Sequence, residues 1–134
     1  MEIQNAWYRI SVKALIYNSK REILLMREKS WVWDFPGGWL DHGENPIEWL
    51  KRELHEEMWL EALKINPQPV EFITSHKPTS KSRPWIWNVF YETQVKNLNF
   101  IASDECVEIW FFDKDSIKSI NTLPNVQDYF NTLK

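Results

Sequence analysis

Three glutamates, Glu53, Glu56 and Glu57, follow Arg52 at relative positions i, i+3 and i+4. On a helix these positions share one face about a turn long. Carboxylates held that close repel one another unless a cation stands between them. A hard divalent ion such as Mg²⁺ takes oxygen ligands and commonly joins a few carboxylates to substrate phosphates. Arg52 can grip a carboxylate through two parallel hydrogen bonds. For the three glutamates alone, the solvated side of an amphipathic helix is the simpler reading. The upstream spacing shifts the balance: five residues separate Gly38 from Glu44, and seven separate Glu44 from Arg52.

The elements that must position this cluster are marked in the chain. Ile47, Leu50, Leu54 and Met58 recur every three or four residues and predict a helix from Pro46 with one apolar face. Pro46 suits a first helical turn, and Asn45 is placed as its N-cap. Phe35-Pro36-Gly37-Gly38 reads as a loop before it. Strands are expected at 10–17 and 23–26, joined by the turn Asn18-Ser19-Lys20-Arg21, and again at 70–74, 86–93 and 107–112. His76 to Arg83 reads as an exposed polar loop, and the segment after Pro124 as a short closing helix. Strands on both sides of one strongly marked helix predict a mixed α/β domain.

Composition bounds the function. With 134 residues, 43% hydrophobic and 26% charged, the expectation is one soluble domain spanning 1–134. A net charge of -3 gives no general basic field for nucleic acid. The single cysteine, Cys106, excludes an intramolecular disulfide framework and fits a reducing, cytoplasmic setting. The first residues lack the basic and apolar regions of a signal peptide, and no apolar run approaches a membrane span.

The segment from Gly38 to Leu60 closely resembles the Nudix box, G-x5-E-x7-R-E-U-x-E-E-x-G-U, where U is a bulky aliphatic residue. Every defining position matches except the last glycine, which here is Trp59. Phe35-Pro36-Gly37-Gly38 is also the usual lead-in to that box. The resemblance implies an α/β/α sandwich around a mixed β-sheet, and hydrolysis of a diphosphate linked to another moiety. It implies Glu56 and Glu57 as Mg²⁺ ligands, with Mn²⁺ as a substitute ion, and Glu53 as a ligand or as the base toward water. Arg52 would orient a glutamate, the Gly38 carbonyl would complete the metal shell, and Glu44 would brace the loop. Many relatives draw another carboxylate from a later loop; Asp104 and Glu105 are available, and Glu105 is favoured, an ordinary polar loop being the alternative.

Tryptophan occurs nine times and glycine only three times, against about 7% glycine in typical chains. Trp31, Trp39 and Trp59 stand where relatives often have glycine, Trp49 where a small residue is usual, and Trp85 in a turn-like context. These five suggest a source that reads a codon, UGA, as glycine; the alternative is a lineage drift toward aromatics. Trp33 and Trp110 read as genuine aromatics.

The compact chain resembles MutT-like enzymes, which convert a nucleoside triphosphate to a monophosphate and pyrophosphate. Arg27 is a candidate phosphate contact or an ordinary surface arginine. Asn125 is a candidate for reading a purine edge, with a helix N-cap ahead of Val126–Leu133 the favoured reading. Trp87, Phe90 and Tyr91 offer either a stacking wall or core. Dinucleoside polyphosphates, NADH and ADP-ribose are alternative substrates. The expected partner is a small nucleotide, with no nucleic acid or membrane, and a monomer or homodimer as the assembly. A catalytically silent module that binds nucleotides or proteins is the alternative class.

Overall fold

The first strand is buried without a break from Ser11 to Leu15, as a strand covered on both faces is. In the computed structural model, which describes residues 8–75 and 85–134, β1 (Tyr8–Leu15) and β7 (Trp85–Val95) lie side by side and parallel, Val12 opposite Val89 and Ala14 opposite Tyr91. Around them run β4 (Gly37–Trp39), β5 (Ala62–Ile65) and β6 (Glu71–Ser75), all antiparallel to their neighbours. The order is β4-β1-β7-β5, with β6 also pairing β7, which makes this sheet mixed. A second, antiparallel sheet joins β3 (Trp33–Asp34), β2 (Ile23–Arg27) and β8 (Glu108–Phe112) in the order β3-β2-β8.

The helices take opposite faces. α1 (Pro46–Met58) buries Trp49, Leu50, Leu54 and Met58 against Val12, Ala14 and Tyr91. α2 (Pro124–Thr132) buries Val126, Tyr129 and Phe130 against Leu15, Phe35 and Phe90. This is the expected α/β/α sandwich. Phe90 and Tyr91 are core, whereas Trp87 is 43% exposed and packs edge-on against Tyr8 and Phe72.

α1 starts where the sequence predicts. The Asn45 side-chain oxygen accepts from the Ile47 and Glu48 N–H groups at 3.0 and 3.1 Å, a cap worth about 1 kcal/mol. The helix ends on Trp59, whose φ of 63° is left-handed. The expected loop at 35–38 is partly strand, because Gly37 and Gly38 pair with Lys13 and Val12. Gly37 has φ 129°, and a Cβ there would fall 2.0 Å from the Val12 carbonyl oxygen. Only glycine permits this approach. The polar segment from His76 to Arg83 lies outside the described residues.

Candidate metal and nucleotide site

The α1 face that carries the box glutamates turns only part of them inward. Glu57, 4% exposed, and the half-buried Glu53 meet Glu105, which arrives on the loop between β7 and β8. One carboxylate oxygen from each lies within 4.8 Å of the others. The trio borders an open cleft of about 620 Å³ that Gly38, Trp49 and Lys29 also line.

Electrostatics show what such a cluster needs. Burial, then a hydrogen bond shared with Glu53, pushes the Glu57 carboxyl up to about 9, with the charges of Glu53 and Glu105 adding and Lys13 opposing. Metal-free carboxyls in this arrangement are eased by retaining a proton; a divalent cation would ease them instead. Three hard oxygen donors on an open cleft fit a hard divalent cation, with room left for water and phosphate.

Glu56 is not in this trio. It faces solvent and lies 3.8 Å from Arg52 Nε. Arg52 Nη2 reaches Glu44 at 3.3 Å, so it ties the loop before α1 to the helix rather than orienting Glu53 or Glu57. Asp104 pairs with Lys29 at 2.8 Å and its carboxyl is held below the usual range by that ammonium group. Arg27 does not line this cleft. Its Nε lies 3.4 Å from Glu108, and its guanidinium sits 4.0 Å from the Trp31 ring centre.

A smaller cleft of about 170 Å³ adjoins β4 as well, and Gly37, Gly38 and Trp39 line both. Its lining includes a buried polar network. Lys13 Nζ is 2.8 Å from Asp34 Oδ2, both side chains 6% exposed. Asn125 Nδ2 donates to Asp34 Oδ1 at 3.0 Å and to Asn88 Oδ1 at 3.2 Å. Asn88 Nδ2 in turn donates to Ser75 Oγ at 2.8 Å. Among the described residues, Asn125 Oδ1 is buried without a hydrogen-bond partner.

The favoured N-cap reading of Asn125 is therefore corrected. Leu123 is the cap residue, with no side-chain cap bond, and Asn125 lies inside α2 where its amide is drawn to Asp34. Sequence reasoning missed Lys13, Asp34 and Asn88 altogether. Their signal was a polar residue at alternate positions of strands otherwise rich in apolar types, as in Ser11-Val12-Lys13-Ala14.

Comparison with known proteins adds an independent line. A model of the NUDIX domain matches residues 7–131. An RNA pyrophosphohydrolase of Francisella tularensis subsp. mediasiatica (strain FSC147) is 36% identical over 74 residues, 54% of this chain and 44% of that protein. The chain thus spans under half the length of this curated relative. The crystal structure of a MutT protein from Methanosarcina mazei Go1 superposes with a TM-score of 0.73 at 24% identity, covering 97% of this chain and 95% of that one. The solution structure of the E. coli ORF135 protein gives 0.77 at 18% identity, covering 98% and 91%. These two likenesses establish the fold.

Proposed function

This chain belongs to the NUDIX-domain family, and from that premise we propose that it is a divalent-metal-dependent pyrophosphohydrolase acting on a nucleotide. The substrate class is a nucleoside diphosphate linked to a further group, in its simplest form a nucleoside triphosphate cleaved to monophosphate and pyrophosphate. The observation that carries this reading is the meeting of two clefts at β4. One holds Glu53, Glu57 and Glu105; the other holds Asn125 over a polar floor.

When bound at the carboxylates, Mg²⁺ or Mn²⁺ supplies positive charge that offsets the charge developing on the phosphates. Glu57 and Glu105 would hold that ion, and the Gly38 backbone borders the same cleft. Glu53, less buried than Glu57, takes the proton of the attacking water. Arg52 and Glu44 fix the loop that leads from β4 into α1. Asn125 meets the base, and Gly37 lets β4 approach β1 closely enough for both clefts to share a wall.

The relative named for RNA pyrophosphohydrolysis favours a second substrate form, the 5′-triphosphate end of RNA. The experiment is release of phosphate and pyrophosphate with Mg²⁺ across nucleoside triphosphates, dinucleoside polyphosphates, NADH, ADP-ribose and a 5′-triphosphorylated oligonucleotide, with Glu57→Gln as control. Turnover of one class that the control lacks supports the reading. Binding without turnover of any compound replaces it with a silent nucleotide-binding module.

A further inference from the structure

We propose that Ser103 is a positioning residue for the metal-site carboxylates, an inference that rests on the hydrolase reading above. The Ser103 hydroxyl donates to the Glu57 backbone carbonyl at 2.6 Å. The same oxygen accepts from the Glu105 and Cys106 N–H groups at 3.2 and 3.3 Å. The Glu57 carbonyl is among the last four of α1, which have no partner within the helix. One hydroxyl therefore joins the helical turn carrying Glu57 to the loop turn carrying Glu105. A hydrogen bond from Ile101 N–H to the Met58 carbonyl at 3.1 Å holds the loop's start. Lys29 to Asp104 at 2.8 Å and Val107 N–H to the Arg27 carbonyl at 2.9 Å tie its far side to the β2 end. Ser103 is what joins the Glu105 turn to the Glu57 turn of α1. The two carboxylates come from segments 48 positions apart, and this hydroxyl is the link that joins their two turns directly.

Ser103→Ala removes the bridge, and Ser103→Thr keeps the hydroxyl. Mn²⁺ binding without substrate, followed by electron paramagnetic resonance of the free ion, gives a readout independent of turnover. Loss of a supporting hydrogen bond typically weakens metal affinity about 10–100-fold. The expected result is a loss in that range for S103A, substantial recovery in S103T, and an unchanged nucleotide KM at saturating metal. If S103A melts earlier but binds Mn²⁺ like the parent, its role is merely structural and the inference is overturned. If Glu57→Gln also binds Mn²⁺ like the parent, it is the metal-site reading itself that fails.

A separate observation carries a second inference. Three non-glycine residues have positive φ among those described: Arg21, Trp31 and Trp59. Two of the three are tryptophan, although tryptophan fills only nine of 134 positions. Trp31 closes the hairpin between β2 and β3, donating its N–H to the Glu28 carbonyl at 3.0 Å while the Glu28 N–H reaches the Val32 carbonyl at 3.0 Å. In such three-residue loops the last loop residue is left-handed, and glycine suits it best. Trp59 caps α1 in the same conformation, again a glycine position. Neither indole is rewarded by burial, at 70% and 58% exposed. Trp33, by contrast, is 8% exposed and packs against Phe112.

We infer that glycine is the native residue at positions 31 and 59, a UGA triplet being read as glycine in the source and as tryptophan in this sequence. The inference is confined to these two positions: Trp39, Trp49 and Trp85 have no positive φ. The expectation for Trp49 is corrected, because its indole is 3% exposed and fills the core beneath α1. Sequencing the source gene and weighing peptides of the native protein test it. UGA at 31 and 59, with peptides of glycine mass, is expected; UGG at either position overturns it. Thermal unfolding tests the physical basis: W31G and W59G should each raise Tm by about 2–5 °C, whereas W33G lowers it. A fall at 31 or 59 would overturn the strain argument.

Discussion

Glu57 lies one helical turn beyond Glu53 and shares a hydrogen bond with it while only 4% exposed. Two carboxyls can share such a bond only if one keeps a proton. The metal-free folded protein therefore binds that proton more tightly than the unfolded chain does. Stability from this source is fully present below the ordinary carboxylate range, and is lost as pH rises toward about 9. Urea midpoints of metal-free protein should fall between pH 6 and pH 9. Saturating Mg²⁺ should flatten that fall, because the cation replaces the proton. A flat metal-free profile would contradict the shared proton.

Replacing Glu57 separates charge from shape. Glutamine fits the buried position and needs no counter-ion, so E57Q should be at least as stable as the parent at pH 8 without metal. Its turnover should drop by about 10²–10³ or more, the scale seen when a group stabilising transition-state charge is removed. Paired measurements of unfolding and of kcat check this. A variant that loses stability and activity together would point to a structural glutamate instead.

Much of this was legible from local pattern. The α1 apolar spacing and its Asn45 cap depend on neighbours in sequence, and both the helix and the cap formed as read. What escaped was non-local. Nothing near Lys13 signals Asp34, its partner 21 positions away, or Asn125, 91 positions beyond Asp34. The Asn125 side chain chose a buried carboxylate over the N–H groups of its own helix, so a capping preference that was locally sound lost to tertiary contact. Glu56, next to Glu57 in the motif, stands beside Arg52 and toward solvent.

The Lys13–Asp34 pair should be costly to break and sensitive to which partner is removed. Lys13→Met leaves the Asp34 carboxylate buried with the Phe35 N–H and the Asn125 amide as its remaining donors among the described residues. Leaving a buried charge uncompensated typically costs about 3–5 kcal/mol, and these two donors place the loss toward the lower end. Chemical denaturation at pH 7 measures it. A loss under about 1 kcal/mol would mean that the ion pair is solvated.

Gly37→Ala tests the close approach of β4 to β1. The new Cβ would meet the Val12 carbonyl oxygen at 2.0 Å, and φ 129° disfavours any L side chain. Because both clefts share this strand, the shift should reach each of them. The expected outcome is a loss of about 3 kcal/mol or more, with activity falling even in the fraction that remains folded. Gly43→Ala is the comparison, since its Cβ would meet nothing within 4 Å and only its φ of 78° opposes the change.

Asn125 should set which base edge is accepted. Its Nδ2 lies between two acceptors, Asp34 Oδ1 and Asn88 Oδ1, and this fixes the amide orientation. The remaining Oδ1, without a partner among the described residues, can only accept. A base presenting an exocyclic amine at that edge, as guanine, adenine and cytosine can, satisfies it; uracil, whose exocyclic groups are both carbonyls, leaves two acceptors opposed. Asn125→Ala should therefore raise KM about 10-fold for donor-edge nucleotides, the loss of one good hydrogen bond, with little change in kcat. For nucleotides without that donor, KM should barely move. Kinetics on a guanine, adenine, cytosine and uracil set check the contrast, and a uniform effect on all four would place Asn125 in the scaffold rather than at the base.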